Sequence, residues 1–230
     1  MRTIMKSMLA LAVIILAFSF TSVAQTAKPF TGTITYSITY AGNIDAATMA
    51  QLPKITTVKV MGNKQKTEIP YGPVTIWVQN DGDKKEAMLM LDQMGQKIYY
   101  KLNEAEIEED YSKNGTPEIT YSDETKTIAG YVCKKAEFKT FDADGNSQVS
   151  VVYYSEELGG AALNYGSNFQ GLKGLPLEYT TPQGDFTVTN TATEVKKGKV
   201  KDLDFLVPSD FIECTPEEKA QLRSMFSGGE

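Results

Sequence analysis

The sequence predicts a mainly β protein: one large, curved antiparallel sheet of about 10 strands with a few short helices packed on it. Three observations predict it. In Thr31–Ala41, Ile34, Tyr36, Ile38 and Tyr40 alternate with Thr33, Thr35, Ser37 and Thr39, and Phe186–Val195 repeats the pattern with Thr187, Thr189, Thr191 and Thr193. Such period-two runs have one apolar and one wet face, as antiparallel strands do. Turn residues recur at short intervals, at Gly62-Asn63, Asn80-Asp81-Gly82-Asp83, Gln93-Met94-Gly95 and Pro182-Gln183-Gly184-Asp185. A sheet of that many strands curls or closes on itself.

The elements follow in order. After the first strand, Asn43–Leu52 reads as a short helix, capped by Asp45 and stopped by Pro53. A meander comes next: Ile55–Met61, Lys66–Ile69, Val74–Gln79, Glu86–Leu91 and Lys97–Leu102, with Pro70-Tyr71-Gly72-Pro73 as a break. Its later strands are apolar on both sides. Val74, Ile76 and Val78 oppose Trp77; Leu89 and Leu91 oppose Met88 and Met90; Ile98, Tyr100 and Leu102 oppose Tyr99. Two-sided strands need cover on both faces, from helices, another sheet layer or a bound apolar molecule.

Asn103–Gly115 is acidic and helix-compatible, and reads as a solvated face. Lys126–Phe141 reads as one long strand with a bulge or bend at Gly130. Asp142–Asn146 has its glycine at the fourth position rather than the sixth that a calcium loop needs, so it reads as a hairpin turn before Val149–Tyr154. Gly159–Phe169 is irregular or briefly helical, Leu175–Thr180 and Phe186–Val195 are strands, and Leu203–Val207 is short and extended. Thr215 and Glu218 have capping-box spacing around Pro216, which opens a last helix with Leu222, Met225 and Phe226 on one side.

The N-terminus reads as a cleaved export signal over residues 1–24. Arg2 and Lys6 precede the apolar run Met8–Phe20, and Ser22-Val23-Ala24 supplies small residues before Gln25. Of 230 residues, 206 then remain as one domain, 25–230. Of 23 basic residues, 21 remain without Arg2 and Lys6, against 29 acidic ones, a formal charge of −8. That balance argues against nucleic acid as a partner. The chain has no histidine, which removes Ser-His-Asp and Cys-His catalysis and histidine metal sites. No nucleophile-plus-base spacing appears, so the expectation is a non-enzyme without a cofactor or metal.

Two stretches carry a family likeness: Ile128–Ala136 (I-A-G-Y-V-C-K-K-A) and Gly171–Tyr179 (G-L-K-G-L-P-L-E-Y). They resemble a family of exported bacterial proteins of unknown function, close to the one named GLPGLI after its motif. Lys173 stands where that motif has Pro, and Pro176 where it has Ile. Such families resemble in architecture the periplasmic lipoprotein carriers LolA and LolB. The resemblance implies a half-barrel sheet wrapped around helices with a cavity for acyl chains, and a periplasmic or secreted location. It transfers no ligand-binding residue.

Two functions from different classes follow. One is a carrier of a lipid or other apolar ligand, with Trp77, Met88, Met90 and Tyr99 of the apolar meander as ligand-binding candidates, since methionine suits adaptable apolar surfaces. The other is an envelope structural or protein-interaction module with no small-molecule ligand. Cys133 and Cys214 leave two states open. Export allows a disulfide, closing a loop of about 80 residues and contributing roughly 4 kcal/mol through the unfolded chain. Otherwise Cys133 is a small buried side chain and Cys214 stands free ahead of a helix cap.

Overall fold

The computed structural model describes residues 29–114, 117–141 and 147–226. The export signal and the Asp142–Asn146 turn lie outside the described residues. Twelve strands join in one open, curved sheet. They are β1 (Thr31–Gly42), β2 (Ile55–Met61), β3 (Lys64–Tyr71), β4 (Val74–Asp81), β5 (Glu86–Gln93), β6 (Gln96–Leu102), β7 (Glu118–Ile128), β8 (Tyr131–Phe141), β9 (Ser147–Ser155), β10 (Leu175–Gln183), β11 (Phe186–Lys197) and β12 (Ile212–Glu213). The spatial order is β12-β6-β5-β4-β3-β2-β1-β11-β10-β9-β8-β7, antiparallel throughout except for β12 beside β6. Two meanders are therefore joined at the centre by β1 and β11, whose residues lie roughly 150 positions apart in sequence.

Several expectations are corrected. Lys126–Phe141 is not one strand. Ile128 pairs with Tyr131, so Ala129-Gly130 is a two-residue hairpin loop. Both have positive φ, 48° and 85°, as a type I′ turn requires. Lys126–Ile128 ends β7, and the I-A-G-Y motif is the turn. Pro70 and Pro182 do not break their strands. β2 pairs with β3 only as far as Glu68, and β9 with β10 only as far as Thr180, so nothing beside either proline requires its missing N–H. Gly82 does not supply positive φ at its turn, where Lys85 has φ 55°. Gly82 is needed for space, since a Cβ there would sit 1.8 Å from the carbonyl oxygen of Ala162. Leu203–Val207 begins as a 3-10 turn, Asp202–Phe205, because the Asp204 carboxylate accepts from the Lys201 N–H.

Three helices form. In α1 (Ala46–Gln51) the Asp45 carboxylate accepts from Ala47 and Thr48 N–H groups, but no residue of the helix is buried, so it covers no sheet. The acidic run forms α2 (Glu104–Asn114). Its Glu106 and Asp110 pair with Lys219 and Arg223 of α3 (Pro216–Phe226), and Ile107 and Tyr111 turn inward. Thr215 and Glu218 cap α3 reciprocally. Leu222 of α3 packs on Leu89, Leu91 and Tyr100, whereas Met225 is exposed. No helix among the described residues is long and apolar enough to cross a membrane.

The main core lies where the sheet curls over the segment between β9 and β10. Leu158, Leu163, Leu172, Leu175 and Leu177 are all at or below 1% exposure. Leu158, Leu163, Leu175 and Leu177 pack with Ile34, Tyr36, Val58 and Val60, and Leu172 packs with Ala136, Phe138, Val152 and Tyr154. The G-L-K-G-L-P stretch belongs to this packing. A Cβ on Gly174 would lie 2.5 Å from the carbonyl oxygen of Ser155, and the Tyr36 hydroxyl donates to the Pro176 carbonyl from 140 positions away.

Gly174→Ala is accordingly expected to lower unfolding stability by about 1–3 kcal/mol, because the new methyl meets backbone. Ala129→Asn should raise it by roughly 0.5–1 kcal/mol, since Asn tolerates the left-handed conformation better than Ala. Urea unfolding midpoints at constant m-value measure both.

Candidate functional site

The structure brings Trp77, Met88, Met90 and Tyr99 onto one face of the sheet. Trp77 stands opposite Met90, and Met90 opposite Tyr99, in a row across β4, β5 and β6. Met88, two positions from Met90 on β5, shares its face and lies opposite Gln79 and Lys101. The row extends to Glu68 on β3, whose carboxylate accepts from the Trp77 indole N–H at 3.0 Å, and to Glu213 on β12, which accepts from the Tyr99 hydroxyl. That these four side chains share a face follows from the alternation along each strand.

What covers it is the chain itself. Residues 198–214 form a strap over the face. Asp202 pairs with Lys64, Asp204 with Lys59, and Asp210 with Lys97, while Lys66 donates to the Asp204 carbonyl. The Phe211 ring meets the Trp77 ring edge-on, with centroids 5.8 Å apart. β12 then pairs with β6, and the Cys214 N–H donates to the Tyr99 carbonyl. From there the chain enters α3 and packs on the opposite face. Met90 is 1% exposed and Met88 6%, so neither lines an open surface. Beside Trp77 an opening of about 80 Å³ remains between strap and sheet, lined by Thr57, Lys59, Lys66, Glu68 and Asp204.

The strap's electrostatics are those of matched ion pairs. Hydrogen bonds from Lys59 and Lys97 hold the Asp204 and Asp210 carboxyls below the usual range, and Asp210 raises Lys97 in turn. Burial lowers Lys66, and the neighbouring Lys59 lowers it further.

A second opening, of about 270 Å³, was not anticipated. It sits at the free edge of the sheet, where the five residues Tyr121–Thr125 of β7 span only the three of β8 from Ala136 to Lys134. Tyr121 and Tyr154 meet edge-on at 5.8 Å, the Lys173 ammonium lies 4.4 Å from the Tyr121 ring centroid, and Lys134 pairs with Glu156. Asp123, Ser122 and Thr125 complete a polar rim. The only sequence signal is the polar run Ser122–Thr125 after an apolar start to the strand.

No family model matches the chain, and no curated protein matches it. Among solved structures, LprF from Mycobacterium bovis is similar at 11% identity, over 74% of this chain and 88% of that one, with a TM-score of 0.30. The open curved antiparallel sheet itself is the architecture that the LolA/LolB resemblance implied.

Cys133 and Cys214 are both free thiols. Cys133 is fully buried in the main core, while Cys214 packs with Leu89, Leu91 and Tyr100 under α3. Two separate apolar clusters thus hold the two sulfurs. Burial pushes the Cys133 thiol up to about 11 and raises Cys214 as well.

Two outcomes are expected. Denatured, unreduced protein should titrate two thiols, and native Cys133 should resist thiol reagents at pH 8, where only about one part in a thousand is thiolate. Asp204 and Asp210 have folded pKa values below their unfolded ones. Their stabilisation is therefore complete at neutral pH and lost only as pH falls through the lowered values. The emission of Trp77, the single tryptophan, should stay constant down to about pH 4 and shift red below it.

Proposed function

We propose that this is a non-enzymatic, exported protein of the cell envelope that works by contact with another protein, not by carrying a lipid in an internal cavity. One observation carries the choice. Both faces of the apolar meander are closed by the chain's own segments, α3 on one and the strap on the other. Main-core leucines fill the hollow of the sheet, and the two openings described above have charged rims. A carrier of acyl chains needs a largely apolar cavity of a few hundred Å³. The N-terminal export pattern supports the location, and the two motifs support kinship with the GLPGLI-type exported families. The chain's lack of histidine and of a nucleophile-plus-base spacing supports the non-enzymatic part.

Organic extraction and lipid mass spectrometry of natively purified protein test this reading. The expected result is far less than one acyl chain per protein, with no saturable uptake of a fluorescent fatty acid. Cross-linking in intact envelopes is expected to capture a reproducible protein partner. Stoichiometric lipid, or a protein that stays monomeric and uncrosslinked, would overturn it.

A further inference from the structure

We propose that the row Trp77–Met90–Tyr99 is a peptide-docking groove, which the chain's own strap fills in this conformation. Its partner is an extended acidic peptide, with carboxylates placed to meet Lys59, Lys64 and Lys97 and an aromatic side chain to lie on Trp77. The inference rests on the contact-protein reading and names the site and the partner chemistry.

Charge segregation is the first ground. The strap supplies Asp202, Asp204, Asp210 and Glu213, while the sheet beneath supplies Lys59, Lys64, Lys66 and Lys97. The sheet's own Asp81 and Asp92 lie 3.9 and 3.8 Å from Lys64 and Lys97, and Glu68 accepts from Trp77, but the strap's carboxylates approach Lys59 and Lys97 more closely, at 2.5 and 2.6 Å. A segment that displaced the strap would meet clustered lysines around an aromatic and methionine floor. Such floors favour extended peptides with an aromatic anchor.

The second ground is how the strap is held. Its ladder to the sheet is only the two residues of β12. Leu203, Leu206 and Ile212 point away from the sheet, at 73%, 59% and 72% exposure. The buried apolar contribution falls to Phe205 and the Phe211–Trp77 contact. Most of the remaining hold is ion pairs with part-exposed partners, which are individually weak and weaken further in salt. Few buried contacts mark a segment that opens before the rest of the fold does. The opening beside Trp77 shows that the strap does not fill the groove completely.

When the strap lifts as far as Glu213, α3 stays tethered, because Lys219 and Arg223 remain bound to Glu106 and Asp110, and Cys214 and Leu222 remain in their cluster. The groove therefore opens without unfolding the inner face.

The test uses the full mature chain with Trp77 as its reporter. The probe is a synthetic peptide of residues 201–214 carrying Cys214→Ser, which contains no tryptophan. A strap variant, Asp204→Asn/Asp210→Asn/Phe211→Ala, should show red-shifted Trp77 emission with an unchanged far-UV circular dichroism spectrum. Added peptide should restore the blue-shifted emission saturably, at least tenfold more tightly than any effect on the unmodified chain, and less tightly in 0.5 M salt. A sheet variant, Lys59→Gln/Lys97→Gln, should gain the red shift but not the peptide binding. Unchanged Trp77 emission in the folded strap variant, or no saturable peptide effect, would overturn the proposal. So would palmitate competing for the groove in place of peptide. If peptide binding fails while envelope cross-linking still captures a partner, the groove is wrong and the contact-protein reading stands. If the peptide binds and no partner is captured, the groove stands and that reading falls.

Discussion

The fold depends on how one irregular segment is accommodated inside the curl of the sheet. Residues between β9 and β10 bury Leu158, Leu163 and Leu172 completely, yet they belong to neither strand nor α-helix. Their carbonyls cannot be left unpaired in a dry core. Side chains from four directions satisfy them. Gln65 of β3 donates to the Leu163 carbonyl, Asn80 of β4 to Gly166, Tyr111 of α2 to Ser167, and Asn164 within the segment to Leu172 and Gly174. The first meander and α2 are thus bound to the plug, and Tyr121 of β7 joins the second meander to it by donating to the Gly171 carbonyl. The glycines follow from this closeness. Gly82 and Gly174 stand where backbone meets backbone, and no side chain fits at either position.

That arrangement explains why the motifs with a family likeness are not the candidate site. Ala129-Gly130 is a turn, and Gly174 and Leu175 are packing positions around it. They specify a shape. The groups free to differ in function are on the outer face and the rim, where the strap and the β7 notch lie. The strap reads as part of the same solution, because a sheet apolar on both sides must be covered twice. One continuous segment does so, crossing the outer face, rounding the β6 edge through β12 and reaching the inner face as α3.

Much of this was legible in sequence, for identifiable reasons. Period-two alternation located β1, β4, β5, β6 and β11, and the opposition of Trp77, Met90 and Tyr99 to their leucine and valine neighbours identified the two-sided strands. Cap chemistry located α3 through Thr215 and Glu218. What was not legible depended on distance along the chain. Nothing near Trp77 announces Phe211, and nothing near Lys59 announces Asp204; both pairings span well over 100 residues. The β7–β8 turn was missed because Ala-Gly is a weak hairpin signal, and Ala129 must adopt positive φ at a steric cost. Gly82 was placed in a turn correctly and for the wrong reason, since its constraint is Ala162, 80 positions away.

The two edges of the sheet bear on where a partner can approach. A long open sheet of this kind presents unpaired backbone at both ends, which invites strand addition and aggregation. Here β6 is covered by the short parallel β12, and β7 is interrupted by its bulge and carries Glu118, Asp123, Glu124 and Lys126. Bulges and charges of that sort are the means by which β proteins keep other strands away. With both edges guarded, strand addition is disfavoured, and among the described residues the leucine plug occupies the hollow. What is left is the outer face of β2–β6, where the cover is held by ion pairs and can be exchanged for another segment of like charge.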